Sequence, residues 1–366
     1  MMSDIFRRQI FSVGILATAT LLFESALTRL LAVAQFYHFA FLVVSLALLG
    51  FGASGTLLSV FPRLRSIPLS RALAWSGIGF AVGVGLAYGV VNWLPFDSYS
   101  IAWERRQIFY FILYYLSLTI PFLFSGMGIG MALTLVKKRS NLVYAANLIG
   151  SALGAILAPA FLWLGGVPGA VLMSALIALL AGILVLGKQS ILQRGWCRWA
   201  FLSLLGFGLL AFCALTVGNL GNRASLGMAI SPYKGLAHAQ RYPGSERRFG
   251  RWNAISRVDV MASAGTRRLP GLSYAYGQNP PPQLGLSVDA DALKPITLVT
   301  PEDFDAAAWM PEALAFSLKP GGNALIINPD GGLGVLQALA AGADQVTTIV
   351  ENPLLRQAVA ETAPKL

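Results

Sequence analysis

Seven long apolar runs fill the first 220 residues of the chain. They cover approximately residues 10–33, 36–61, 72–94, 108–136, 142–164, 167–186 and 199–220. Each is long enough to cross a bilayer as an α-helix, which takes about 20 residues. Small residues recur within them at four-residue spacing, as at Gly150 and Gly154. Because such spacing lets helix backbones approach closely in lipid, the runs predict one multi-span α-helical membrane bundle of about seven spans.

The net charge of +11 is concentrated in this apolar block. Before Leu220 the chain has 14 Lys and Arg residues against 4 Asp and Glu residues, a balance of +10, and the remainder has 13 against 12, a balance of +1. The basic excess lies in short loops between apolar runs, where anionic lipid and membrane topology account for it. The sequence therefore predicts the lipid bilayer as a partner. It argues against nucleic acid, which would need a basic patch on a folded face.

The basic loops alternate along the chain and predict an orientation. One set of loops carries Arg7, Arg8, Arg63, Arg65, Arg71, Lys137, Lys138, Arg139, Lys188, Arg194 and Arg198, and the opposite set carries Arg105 and Arg106. The positive-inside rule then predicts a multi-pass protein of the cell membrane, of the bacterial inner-membrane type, with its N-terminus in the cytoplasm. Seven spans place the C-terminal part outside, whereas a cytosolic cofactor requires it inside, so its side stays open.

The low number of cysteines and histidines limits which disulfides, metal sites and catalytic triads the chain can form. Cys197 and Cys213 both lie at or inside one apolar run, so no disulfide framework is predicted. His38 and His238 are too few for a histidine-rich metal site or a Ser-His-Asp triad, and no metal site is predicted.

Glu24 and Arg29 are charged residues inside the first apolar run. A charge within a span costs about 2.5–3.5 kcal/mol on insertion scales, so both side chains are expected to face the bundle and find partners there. Two interpretations stay open. Either both residues make structural polar contacts with neighbouring helices, or they line a path for a substrate or a proton.

From Ser231 onward the sequence changes to short β-rich segments separated by turns. Alternating apolar and polar residues predict a strand over 251–261 and a strand pair over 284–298, and a short amphipathic helix is predicted over 310–318. We divide the chain into a transmembrane domain at 1–220, a β-rich segment at 221–300 and a partial nucleotide-binding α/β domain at 301–366.

The stretch 325–353, LIINPDGGLGVLQALAAGADQVTTIVENP, has the order of a βαβ unit. It predicts a buried strand at 324–327, a turn at 329–332, a helix at 333–341 ended by Gly342, and a second strand at 345–350 parallel to the first. A glycine turn at a helix N-terminus lets a ligand approach the backbone, and an acid at the tip of the second strand accepts hydrogen bonds from ribose hydroxyls. The candidate cofactor-binding residues are Asn328, Asp330, Gly331, Gly332 and Glu351.

The carboxylate of Asp330 selects among nucleotide ligands. A pyrophosphate would lie close to this carboxylate, and like charges at short range are unfavourable. The sulfonium of S-adenosylmethionine is cationic and is favoured beside an acid. The decarboxylated form has no carboxylate of its own and suits an acidic pocket better still. The expected ligand, bound as a substrate, is therefore S-adenosylmethionine or decarboxylated S-adenosylmethionine.

Several segments carry a family resemblance: ESALTRLL at 24–31, SPYK at 231–234, WNAISRVDV at 252–260, LGLSVDAD at 284–291 and the βαβ unit at 325–353. Together they resemble the membrane-attached spermidine synthase-like family over nearly the whole chain. The resemblance implies a β-hairpin domain, an incomplete Rossmann-like sheet, and aminopropyl transfer from decarboxylated S-adenosylmethionine to a polyamine. It also places the catalytic carboxylate beyond Leu366, so no catalytic residue is assigned here, and the chain is expected to be a C-terminally truncated member.

Other functions stay open beside this one. The chain departs from the family where Asn328 and Asp330 replace glycines of the turn, although Asn tolerates a left-handed backbone. The same pocket would serve an S-adenosylmethionine-dependent methyltransferase. A non-enzymatic membrane transporter or scaffold with a Rossmann remnant is the alternative from another class, and the βαβ unit would then be a stable element without a ligand.

Overall fold

The computed structural model describes residues 4–136, 139–186, 195–221 and 228–364, and at 195–202 it describes the backbone alone. Within these residues the chain forms two compact units, the first ending at Ala229 and the second beginning at Ile230. Four basic residues that contribute to the predicted orientation lie outside the described residues: Lys137, Lys138, Lys188 and Arg194. The side chains of Cys197 and Arg198 are not described either.

The first unit contains six helices that are long and apolar enough to cross a membrane. They are α1 (Asp4–Ala34), α2 (Leu42–Val60), α3 (Leu69–Trp93), α4 (Arg105–Leu135), α5 (Ser140–Val185) and α6 (Gly195–Leu220). A short 3₁₀ helix, Tyr37–Phe41, precedes α2. These helices confirm the prediction of a multi-span helical membrane protein.

The helix count is one fewer than the seven predicted spans because α5 contains two of the predicted runs. Within α5, Gly166 has non-helical dihedral angles, φ 64° and ψ −166°. Ser12 of α1 donates from Oγ to the carbonyl of Ala181 (2.8 Å), and Thr18 of the same helix donates from Oγ1 to the carbonyl of Gly150 (2.9 Å). In a straight helix these two carbonyls would lie about 46 Å apart, at 1.5 Å per residue. The chain therefore reverses at Gly166, and α5 is a hairpin of two antiparallel legs.

Arginines gather at one end of the bundle. Gln9 near the start of α1 hydrogen-bonds to Ser70 at the start of α3 (3.0 Å), and Arg139 lies over the ring of Phe6 at 5.3 Å from its centroid. These contacts bring together the helix ends and loops that carry Arg7, Arg8, Arg63, Arg65, Arg71 and Arg139. We call this the basic end.

Aromatic side chains gather at the opposite end, which we call the aromatic end. Phe36 after α1 contacts Tyr99 before α4 with ring centroids 5.5 Å apart, and Phe96 contacts Tyr114 at 5.2 Å. Aromatic belts of this kind are typical of a membrane–water interface. The two ends thus have the character expected of the two surfaces of a bilayer.

The first unit ends at the aromatic end. Asn219 near the end of α6 donates to the carbonyl of Trp163, next to the reversal in α5 (2.8 Å). Further along, the backbone N–H of Ala229 donates to Asn92 at the end of α3 (2.8 Å). The chain therefore enters α6 from the basic end and leaves the first unit at the other.

The second unit begins with α7 (Gly235–Arg241) and an antiparallel sheet in the order β1 (Glu246–Trp252), β2 (Arg257–Ala262), β3 (Gln283–Val288) and β4 (Lys294–Thr297). The strand pair predicted over 284–298 is confirmed as β3 and β4. The single strand predicted over 251–261 is wrong, because the chain turns between β1 and β2. There the Oδ1 of Asn253 accepts hydrogen bonds from the backbone N–H groups of Ile255 (2.9 Å) and Ser256 (2.7 Å).

The rest of the unit is α8 (Glu312–Leu318), β5 (Asn323–Ile327), α9 (Leu333–Ala340), β6 (Gln345–Ile349) and α10 (Pro353–Thr362). Strands β5 and β6 are parallel, as predicted. The prediction that the first of them is buried is wrong: Leu325 is 60% and Ile327 is 66% exposed. The reason is that α9 covers one face of the pair and these two side chains lie on the other. Leu354 and Leu355 of α10 pack into the core of the antiparallel sheet.

Candidate functional site

Two of the predicted ligand-binding residues meet at the edge of the parallel strand pair. Ile327 at the end of β5 pairs with Ile349 at the end of β6, so the residues that follow the strands lie side by side. Asn328 donates from Nδ2 to the carboxylate of Glu351 (3.4 Å), and the backbone N–H of Glu351 donates to Oδ1 of Asn328 (3.1 Å). The carboxylate remains exposed. A ligand at this edge therefore has access to both side chains.

The turn between β5 and α9 has an alternating left-handed backbone. Asn328 and Asp330 both have φ 52°, and Gly332, which precedes the first residue of α9, has φ 88°. The N–H of Gly332 donates to the carbonyl of Pro329 (2.8 Å) and closes the turn. Side chains other than glycine pay about 1–2 kcal/mol in this conformation, and Asn and Asp tolerate it best. Replacement of glycine by these two residues is therefore compatible with the turn.

Asp330 is paired with a cation that sequence analysis missed. Its Oδ1 lies 2.6 Å from Nζ of Lys294 at the start of β4, and both side chains are partly exposed. This pair changes the electrostatics on which the choice of ligand rested, because Lys294 largely compensates the charge of Asp330. Two of the predicted ligand-binding residues carry a carboxylate, Asp330 and Glu351. That of Glu351 forms no ion pair with a described cation. Nothing local in the sequence indicated a partner 36 residues away.

Close packing requires glycine at position 331. A methyl group at this position would overlap the backbone carbonyl of Pro295 in β4. The turn therefore rests directly on the antiparallel sheet, and only glycine allows that approach. Gly332 has open space around its α-carbon and is needed for its positive φ.

We expect Gly331→Ala to destabilise the second unit by about 1–3 kcal/mol, the range for overpacking a close contact. The matched control is Gly334→Ala within α9. There a methyl group would meet only the side chain of Ile326 at 3.8 Å, and alanine favours the helix by about 1 kcal/mol. Pulse proteolysis of the full chain in urea, read on fragments of the second unit, measures both free energies of unfolding. Equal stabilities would contradict the contact with Pro295.

A cavity of about 360 Å³ lies beside the turn, and we call it the α9–α10 cavity. It is lined by the turn, α9, the end of β6, α10 and the end of β4: Thr297, Pro301, Pro329, Asp330, Gly331, Gly332, Val335, Leu336, Leu339, Thr348, Val350, Leu355, Arg356, Val359 and Ala360. Asn328 and Glu351 lie outside this lining. The five predicted residues are therefore divided between the cavity and the strand edge.

The SPYK and LGLSVDAD segments hold each other in place. Lys234 donates from Nζ to the carbonyl of Asp289 (2.8 Å), and Asp289 accepts at Oδ1 from the backbone N–H of Arg257 (2.8 Å). Burial lowers the pKa of Lys234, and the charges of Asp291 and Asp289 oppose that shift. Asp289 and the following Ala290 have φ 50° and 61°, so these contacts stabilise a left-handed turn. In this structure the two segments have a structural role.

A buried ion pair is the second feature that sequence analysis missed. Arg257 is 1% and Asp259 is 0% exposed, and both lie in β2. The Nη2 of Arg257 donates to Oδ1 of Asp259 (2.9 Å), while its Nε lies 2.6 Å from Oδ2 without the alignment of a hydrogen bond. The signal was present in the sequence, since residues two apart in a strand point to the same face.

Among the described residues, no cluster of three or more His, Cys, Asp and Glu side chains is arranged to hold a metal ion. No protein-family model, no curated protein and no solved structure matches the chain.

Proposed function

We propose that the chain is a membrane-anchored binding protein for S-adenosylmethionine or its decarboxylated form, of the spermidine synthase-like type. The ligand lies at the edge formed by Asn328 and Glu351, on a Rossmann-like βαβ unit. The observation that supports this is the meeting of these two side chains at the carboxyl ends of two parallel strands, beside a left-handed turn. This is where nucleotides bind in open α/β sheets.

Charge at the edge supports a sulfonium ligand over a pyrophosphate. Glu351 contributes a negative charge that no described cation compensates, and Lys294 is already engaged with Asp330. The ribose of an adenosyl sulfonium hydrogen-bonds to this carboxylate, and the cationic sulfur is attracted by the negative charge at the edge. In the proposed reaction a polyamine nitrogen attacks the aminopropyl carbon bonded to the sulfonium, the C–S bond breaks, the neutral thioether leaves and the new ammonium releases a proton to solvent. The Asn328–Glu351 edge binds the sulfonium donor.

Glu351→Ala is expected to weaken binding of the sulfonium ligand by about 1.5–3 kcal/mol, the range for a hydrogen bond to a charged group. Isothermal titration of the full chain in lipid nanodiscs with S-adenosylmethionine and its decarboxylated form measures the loss. Glu246→Ala is the control, because it removes another exposed carboxylate, which lies on β1. An unchanged affinity rejects the ribose contact.

The same titration separates the competing functions. Tighter binding of the decarboxylated form supports aminopropyl transfer, and product analysis with putrescine then tests it. Tighter binding of S-adenosylmethionine supports methyl transfer instead. Binding of neither removes both enzyme functions and leaves a membrane transporter or scaffold, for which Glu24 and Arg29 are the residues to test.

We place the protein in the cell membrane, in a bacterium the inner membrane, with the basic end in the cytoplasm. The positive-inside rule supports this orientation. Because Ala229 lies at the aromatic end, the chain leaves the first unit on the non-cytoplasmic side.

A further inference from the structure

The α9–α10 cavity has the walls of a site for an apolar group. Its volume of about 360 Å³ lies within the usual range of ligand pockets, about 300–1,000 Å³. Aliphatic side chains from both helices and from the end of β6 make up most of the wall: Val335, Leu336, Leu339, Val350, Leu355 and Val359. An empty apolar cavity is unfavourable, because its wall lacks packing partners on one side. Such a space favours an aliphatic or aromatic group.

The cavity lining contains two charged side chains, those of Asp330 and Arg356. Asp330 is compensated by Lys294 at 2.6 Å, whereas Arg356 on α10 forms no ion pair with any described carboxylate. A guanidinium binds carboxylates through two parallel hydrogen bonds. The uncompensated Arg356 therefore favours an anionic group on the ligand.

We propose that the α9–α10 cavity binds a small amphiphilic carboxylate, with its apolar part between α9 and α10 and its carboxylate on Arg356. The site borders the turn residues Asp330, Gly331 and Gly332, but its proposed anchor is Arg356, whereas the anchors of the proposed cofactor, Asn328 and Glu351, lie outside the cavity. A polyamine does not fit it. Its ammonium groups would lose water against aliphatic walls and would be repelled by the guanidinium.

Octanoate and octylamine test the proposal, because they share an apolar chain and differ in charge. Both are titrated against the full chain in lipid nanodiscs, with empty nanodiscs as the measure of lipid partitioning. Octanoate is expected to bind about tenfold more tightly than octylamine, the lower limit for a hydrogen bond to a charged group. Hexanoate should bind more weakly than octanoate, about fourfold for each CH₂ group removed from the cavity.

Two variants locate the binding site. Arg356→Gln should abolish the preference for octanoate over octylamine, and Leu339→Trp should fill the cavity and prevent binding of both. Arg356 and Leu339 are exposed at their helix surfaces, so neither change disturbs the core. Arg248→Gln, at an exposed arginine of β1, is the matched control and should leave the preference intact.

The proposal is overturned by any of three results. These are equal affinity for octanoate and octylamine in the unmodified chain, the same loss of preference in Arg248→Gln as in Arg356→Gln, or binding by Leu339→Trp at the level of the unmodified chain. The proposal for S-adenosylmethionine is tested separately, because this ligand is titrated against the same preparations. Arg356→Gln leaves the Glu351 edge unchanged and should not alter that titration.

Discussion

Asp259→Ala is expected to destabilise the second unit by about 3–5 kcal/mol, because it leaves the buried guanidinium of Arg257 without its counter-charge. The pair lies inside β2 with 1% and 0% of its two side chains exposed, so water cannot replace the lost carboxylate. Among the described residues the Nη1 of Arg257 already makes no hydrogen bond. Pulse proteolysis of the full chain in urea, read on fragments of the second unit, measures the free energy of unfolding.

An exposed ion pair on the neighbouring strand is the matched control. Arg248 and Glu246 of β1 are joined at 2.8 Å, with 56% and 61% of their side chains exposed. Glu246→Ala should cost no more than about 1 kcal/mol, because water solvates the remaining cation. The double variant Arg257→Met/Asp259→Leu should recover much of the loss, since it removes both buried charges. Equal effects of Asp259→Ala and Glu246→Ala would contradict the role given to the buried pair.

The structure agrees with the sequence for several features that depend on residues close together in the chain. Span length predicted the membrane helices, and the break predicted at 165–166 coincides with the reversal at Gly166. Apolar runs separated by a glycine turn predicted the parallel strands β5 and β6. Each of these features follows from the hydrophobic pattern and turn chemistry of one short segment.

The differences arise where a side chain finds a distant or unexpected partner. The hairpin between β1 and β2 was predicted as one strand because WNAISRVDV continues to alternate, whereas the amide of Asn253 captures two backbone N–H groups and turns the chain. The pairing of Asp330 with Lys294 joins two elements far apart in sequence. The cavity depends on how α9 and α10 pack, and its aliphatic wall and Arg356 belong to no sequence motif.

These differences change the interpretation of the candidate site. In the sequence, the turn and Glu351 form one pocket. In the structure, Gly331 is required by the backbone of β4, Asp330 is held by Lys294, and the exposed carboxylate of Glu351 lies at the strand edge with Asn328. The edge carries the two side chains of the proposed nucleotide site, whereas the cavity has an apolar wall and an arginine that pairs with no described carboxylate. The two ligands that we propose therefore have separate anchors in the second unit.

Gly150→Ala is expected to destabilise the membrane bundle by about 2–4 kcal/mol. A methyl group at Gly150 would overlap the carbonyl oxygen of Gly14, so α1 and the first leg of α5 must move apart. Overpacking of this kind costs about 1–3 kcal/mol. The movement also breaks the 2.9 Å hydrogen bond from Thr18 to the carbonyl of Gly150, which contributes about 1 kcal/mol more.

Unfolding of the full chain by sodium dodecyl sulfate, followed by far-ultraviolet circular dichroism, measures this effect. The control is Gly85→Ala in α3, where the added methyl group meets no atom within 4 Å and alanine favours the helix. Gly150→Ala should unfold at a lower detergent fraction than the unmodified chain, and Gly85→Ala at the same fraction or a higher one. If both variants unfold together, the helix backbones do not meet at Gly14 and Gly150. The same contact positions the hairpin of α5 on α1. The interpretation of α5 as two antiparallel legs would then be wrong as well.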